Sequence, residues 1–150
     1  MAVTASGLFV LTWTDVLDTT QLAVDLDLET HKVAMFTNTI TPNFSTDSAY
    51  GVAPYNANEV TGTGYTSGGT VLTSTALSES PSGTIMYDAA DTSWASSTIA
   101  SARCALIYAD ALAGNNALLL VNFGADYSTT NGTFTIQWAS TGIFTWDLTP

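Results

Sequence analysis

The clearest pattern of apolar and polar positions lies within residues 21–38. Leu22, Val24, Leu26 and Leu28 alternate with Asp25, Asp27 and Glu29, and a period of two marks a strand with one buried face. The pattern predicts a half-buried strand with an acidic outer face. After the polar break Glu29-Thr30-His31, the run Lys32-Val33-Ala34-Met35-Phe36-Thr37 predicts a second strand, ended by the turn-prone Thr41-Pro42-Asn43. The two are expected to pair as a hairpin, with His31 exposed in its turn.

Residues 41–69 break this regularity with Pro42, Pro54, five glycines and many Ser, Thr and Asn residues, the composition of a long exposed loop region. From residue 70 onward short strands are predicted near 70–77, 83–88, 102–109, 116–123, 131–138 and 142–148. Their separators include Ser80-Pro81-Ser82-Gly83, Gly114-Asn115-Asn116 and Asn131-Gly132. The last two runs alternate large apolar residues with Thr or Gln and are expected to close the chain as a hairpin, with Phe134, Ile136 and Trp138 on its core face.

Residues 1–20 fit a short helix, an edge strand or an N-terminal arm that orders on a partner, because Leu8, Leu11, Val16 and Leu17 define no single helical face. No internal repeat is visible. The spacing as a whole predicts an all-β chain, one domain over 1–150, built as an antiparallel β-sandwich or a jelly-roll-like barrel with one long loop region.

Composition agrees. About a quarter of the residues are Thr or Ser, types suited to strands and turns rather than to helix interiors. The net charge is −11, with Lys32 and Arg103 as the only permanent cations, which leaves nothing to neutralise nucleic-acid phosphates or an anionic membrane. No run approaches the roughly 18 apolar residues of a membrane span, and no basic region precedes Leu8-Phe9-Val10-Leu11, so a protein made in the cytoplasm without a secretion signal is expected. The sequons Asn43-Phe44-Ser45 and Asn131-Gly132-Thr133 are then read without glycans.

Chemistry-bearing residues are sparse. Asp25, Asp27 and Glu29 have the opening spacing of a calcium loop, but Thr30 stands where that loop needs glycine and Phe36 where it needs glutamate. His31 is the single histidine, and Gly-x-Ser-x-Gly is absent, so neither a transition-metal set nor a serine triad has an anchor. Cys104 is alone in the apolar run Cys104-Ala105-Leu106-Ile107-Tyr108, which predicts a buried, inert thiol. No pattern selects two of the 13 acids as a glycosidase pair. Gly62-Thr63-Gly64-Tyr65-Thr66-Ser67-Gly68-Gly69 lacks the lysine of a phosphate loop. The expectation is a binding protein, not an enzyme, with no cofactor and no metal.

Several segments in order resemble a family of small proteins encoded among the head and tail genes of tailed bacteriophages. They are Lys32-Val33-Ala34-Met35-Phe36-Thr37, then Glu59-Val60-Thr61-Gly62-Thr63-Gly64-Tyr65-Thr66-Ser67-Gly68-Gly69, then Asp88-Ala89-Ala90-Asp91-Thr92-Ser93-Trp94 with Ser97-Thr98-Ile99. Ala105-Leu106-Ile107-Tyr108, Val121-Asn122-Phe123-Gly124 and Asn131-Gly132-Thr133-Phe134-Thr135-Ile136-Gln137-Trp138 follow, with Gly142-Ile143-Phe144 last. The likeness spans roughly residues 30–148. It departs from the family in Asn116-Ala117-Leu118-Leu119-Leu120 and in the scarcity of cations.

The resemblance implies a virion structural protein, assembled in the bacterial host cytoplasm. The expected role is a capsid decoration or minor capsid protein, a dimer or trimer bound to the exterior of the major capsid protein lattice. A tail or fibre component and a carbohydrate-binding module are the alternatives. The candidate partner-contact residues lie in the loop region: Asp47, Tyr50, Tyr55, Glu59 and Tyr65, with Asp47 and Glu59 taken as exposed charges.

Overall fold

The structure is a computed structural model describing residues 2–19, 22–79 and 82–149. The longest apolar runs of the chain become its central strands. β1 (Gly7–Leu8), α1 (Val10–Leu17) and β2 (His31–Phe36) are followed, after the long loop region, by β3 (Thr70–Val71), β4 (Ala76–Glu79) and β5 (Thr84–Asp88). Two long strands, β6 (Thr92–Ala109) and β7 (Asn116–Ile136), precede the short β8 (Phe144–Asp147). They form a five-stranded sheet in the order β1-β7-β6-β2-β3 and a three-stranded sheet in the order β4-β5-β8, with all pairings antiparallel. Neither sheet closes on itself, so of the two expected architectures the sandwich is the one formed.

The centre of the large sheet is buried on both faces, which is why β2 and the second half of β6 read as continuous apolar runs rather than alternating ones. Val33, Met35, Ala105 and Ile107 face a cluster closed by Tyr87 of β5, with Phe144 and Trp146 of β8 packed against it. Ala34, Phe36, Cys104 and Leu106 face a second cluster closed by Val3, Phe9, Ile40 and Tyr55. The N-terminal residues therefore wrap one edge of the sheet: Phe9 lies in one cluster and Trp13 of α1 in the other. A bulge in β7 receives them. Leu119 opposes Ile107 and Ala117 opposes Tyr108, leaving Leu118 as the extra residue. The Leu118 carbonyl accepts from the Trp13 indole (3.0 Å) and from the Phe9 amide (3.1 Å), and the Ala117 carbonyl accepts from the Thr12 hydroxyl at 2.6 Å.

Several expectations change. Residues 22–25 are irregular and 26–28 form a turn, with no strand, because local hydrogen bonds outcompete the ladder. The Asp25 carboxylate accepts from the amides of Asp27 and Leu28, and the Glu29 carboxylate accepts from the Asp25 amide. Only Leu26 of the alternating set is buried, while Leu28 is 84% exposed. The expected hairpin with β2 is thus absent, and residue 21 of that segment lies outside the described residues. His31, expected in an exposed turn, is the first residue of β2, opposite Ala109 and fully buried against Tyr87.

The segments 116–123 and 131–138 belong to one continuous strand through Ile136, because Asn131, at φ +54°, makes a bulge inside β7 rather than a turn between strands. Residues 92–101, which fall between two of the expected strands, are the first half of β6. The closing hairpin does not form either. The Gly142 amide donates to the Ala139 carbonyl, and Ile143 then donates to Tyr87, which carries β8 to β5 in the other sheet. The separators at 80–81 lie outside the described residues.

Candidate functional site

The loop region expected to carry partner contacts is an ordered layer over the sheet. It begins beside β7, where the Ala117 amide donates to Ser48 and the Tyr50 amide donates to Asn115. It returns along the end of β2, where Thr37 donates to Asn58 and Val60 donates to Met35. This return bridges Glu59 to Phe36 at the end of β2 and turns its carboxylate toward the loop residues 50 and 65–68. Four donors converge there. The hydroxyls of Tyr65 and Tyr50 reach the carboxylate at 2.7 and 2.9 Å, the Ser67 hydroxyl at 2.8 Å and the Gly68 amide at 2.7 Å. The Tyr65 oxygen also accepts from the Met35 amide at 2.9 Å, which ties the cluster to β2. Tyr50 stacks on Tyr108 at 4.5 Å and 10°, and the Tyr108 hydroxyl donates to the Gly68 carbonyl.

Burial pushes the pKa values of Tyr50 and Tyr65 up, and the Glu59 carboxylate adds to that shift, so both phenols stay protonated as donors. The arrangement is a structural knot. The carboxylate is saturated, which leaves it no capacity to act as a base or a metal ligand.

Asp47 and Tyr55 also act inward. Asp47, expected as an exposed charge, is 7% exposed. Its carboxylate accepts from the Asn43 amide at 2.8 Å while its own amide donates to the Asn43 carbonyl. The reason is turn chemistry: short polar side chains close the 43–47 turn on itself. Glu59 is half-buried for the reason already given. Tyr55 is buried edge-on between Phe9 (5.8 Å) and Phe36 (5.4 Å), and burial, then the neighbouring Asp47 carboxylate, push its phenol upward. The five candidate residues are thus brought to one region, where they fix the backbone. The surface itself belongs to the residues between them, including Val52, 51% exposed, and the exposed Asn56, Ala57 and Asn58. A shallow hollow of about 340 Å³ lies there, between Tyr50, Tyr55 and Ser67.

A second concavity was not legible in the sequence. Beyond Leu120 no strand pairs with the outer edge of β7 among the described residues, and the last contact along it runs from the Asn122 amide to the Ser6 hydroxyl. The ribbon curls there, bringing Phe123 within 6.4 Å of Phe134 and 6.3 Å of Tyr127. Gln137, Trp138, Ala139, Gly142 and Ile143 complete the lining, and the segment is held where the Trp138 amide donates to Asp91 at 3.0 Å. The result is a groove of about 590 Å³.

Charge lies elsewhere. Lys32 pairs with Asp110 at 3.0 Å and Arg103 with Asp126 at 2.6 Å, so both permanent cations are engaged in a chain whose net charge is −11. Among the described residues no group of three or more His, Cys, Asp or Glu side chains is arranged to hold a metal ion. Cys104 is buried as expected, and burial pushes its thiol up to about 12. No helix of the described residues is long and apolar enough to cross a membrane.

No protein-family model, no curated protein and no solved structure matches this chain. What the structure defines is an all-β protein of two antiparallel sheets, with a fixed loop layer on one face and a groove at one edge.

Proposed function

We propose that the protein is a virion structural protein of a tailed bacteriophage, of the kind that decorates the exterior of the major capsid lattice as a symmetric dimer or trimer. The observation that carries this reading is the Glu59 knot. It makes a Gly-, Thr- and Asn-rich loop rigid, and a preorganised surface loses less conformational freedom on docking than a mobile one. The ordered likeness of segments over residues 30–148 supports the phage assignment. The net charge of −11 suits a particle exterior and predicts a basic partner surface, with attachment that weakens as salt rises. Repetition of the lattice lets modest contacts sum to tight attachment.

The test is to add purified protein to undecorated phage heads, locate it by electron microscopy and count copies. Many symmetric copies on the shell support decoration. Density confined to the tail or one vertex replaces it with a tail or fibre role, and absence of binding overturns both. Val52→Asp, at the exposed tip of the loop layer, is expected to lower attachment at least tenfold without changing thermal stability.

A further inference from the structure

The groove along β7 plays no part in the docking surface just described, and its lining differs from the rest of the molecule. In a chain of net charge −11, none of its lining residues is Asp, Glu, Lys, Arg or His. One wall is aromatic. Tyr127 lies in a polar stretch of β7 and is 51% exposed, with its ring against Phe123, and half-buried Trp138 also lines the groove. The other contribution is polar and uncharged. Thr133, Thr135 and Gln137 border the groove from the exposed face of the ribbon and its extension, opposite the face of Phe134 and Ile136, and among the described residues their side chains make no hydrogen bond. The volume, about 590 Å³, lies within the range of roughly 300–1,000 Å³ typical of small-molecule sites.

From these features we infer that the groove is a binding site for an uncharged saccharide, the end of a short neutral oligosaccharide chain. The aromatic faces of Tyr127 and Trp138 supply the apolar platform on which the C–H face of a pyranose ring packs. The free hydroxyls and the Gln137 amide supply donors and acceptors for sugar hydroxyls, each able to act in both senses. The absence of charge from the lining matters as much. A carboxylated or phosphorylated ligand would bring an unpaired charge into a site with no cation, against an anionic molecule, and that is costly. A purely apolar occupant would cover the three uncharged polar side chains without pairing them. The inference does not rest on a capsid location and holds for the protein wherever it is attached.

The experiment is titration of the full-length protein with gluco-, manno-, galacto- and xylo-tetraose, with oligogalacturonate as the charged control and an extended apolar peptide as the competitor class. Binding is followed by calorimetry and by the NMR signals of the Trp138 indole N–H and the Tyr127 ring. Saturable binding of at least one neutral tetraose is expected, with shifts confined to the groove and none from oligogalacturonate. Tyr127→Ala is expected to weaken it at least tenfold and Gln137→Ala about threefold. Both side chains are exposed, so unchanged thermal stability confirms that the fold is intact. The inference is overturned if no neutral tetraose shifts the groove signals at 10 mM, taken as roughly the limit of weak specific binding. It is also overturned if binding survives both substitutions or if only the apolar peptide occupies the groove. Failure here leaves attachment to phage heads untouched, and failure of attachment leaves the groove untouched.

Discussion

Replacing Glu59 with alanine tests the structural logic of the loop layer directly. Four donors lose their acceptor at once: the hydroxyls of Tyr50, Tyr65 and Ser67 and the Gly68 amide. Ser67 is exposed and Tyr50 lies beside the surface hollow, so water replaces much of what they lose. The Tyr65 hydroxyl and the Gly68 amide are less accessible, and leaving such a donor unpaired costs about 1–3 kcal/mol each. Allowing for relaxation of the loop, the expected destabilisation is about 2–4 kcal/mol, a large share of the roughly 5–15 kcal/mol available to a domain of this size. The corresponding fall in Tm is about 5–15 °C. Glu59→Gln keeps one acceptor oxygen, able to serve two of the four donors, and is expected to cost about half as much. Denaturant titration gives the energies, and amide exchange at Gly68 and Met35 reports whether the loop has come away from β2. If Glu59→Ala lies within about 0.5 kcal/mol of the parent, the level of a surface substitution, and exchange at both amides is unchanged, the knot does not hold the loop and the argument is wrong.

Three further outcomes follow from the core and the turns. Burial holds the His31 pKa below its ordinary 6.5, so the folded protein resists a proton that the unfolded chain accepts. The stability this gives is complete above pH 6.5 and is lost as pH falls toward the folded pKa, with a limiting slope of about 1.4 kcal/mol per pH unit; in urea titrations between pH 5 and 7, roughly the span of His titration, His31→Leu should flatten that slope. Gly69 sits at φ +74°, where an added Cβ would fall on the Val33 carbonyl, so Gly69→Ala should cost at least about 2 kcal/mol and lower the denaturation midpoint. Trp13→Phe keeps a ring against Phe144 and Trp146 but removes the indole donor to Leu118, for an expected loss of about 1 kcal/mol in the same titration.

The strands legible in the sequence were those whose evidence is local. β2, β5 and the apolar half of β6 each carry an apolar run that satisfies a strand wherever it packs. The failures share a cause: a side chain or a single backbone conformation redirected the chain against its pattern. Asp25 gathered the amides of its own turn and stopped an alternating segment from extending. Asn131, with Gly132 after it, reads as a hairpin signal, yet β6 runs on opposite both sides of it and turns it into a bulge. Asn115, the other Asn signal, did mark a reversal because no partner strand spans it. The same residue type therefore means turn or bulge according to a neighbour far away in sequence.

That non-local dependence also explains why the two concavities differed in legibility. The loop layer could be located from composition, since Pro, Gly and Asn over residues 41–69 announce irregular backbone. The inward roles of Asp47, Glu59 and Tyr55 could not, because each depends on which strand passes beneath it. The groove left no local trace at all. Its walls come from the free edge of a bulged strand and from the segment that leaves β7 for the second sheet, and both arise only once the sheets have separated. Bulges that lengthen β7 past the end of its neighbour β1 expose an edge, and an exposed edge is an aggregation hazard unless it is covered or kept uninviting. Along this edge the positive-φ backbone at Gly124 and the ion pair at Asp126 discourage strand addition. Neither device lines the groove, whose residues carry no charge, so the edge is guarded against other strands beside the groove and open to a small hydroxylated ligand within it.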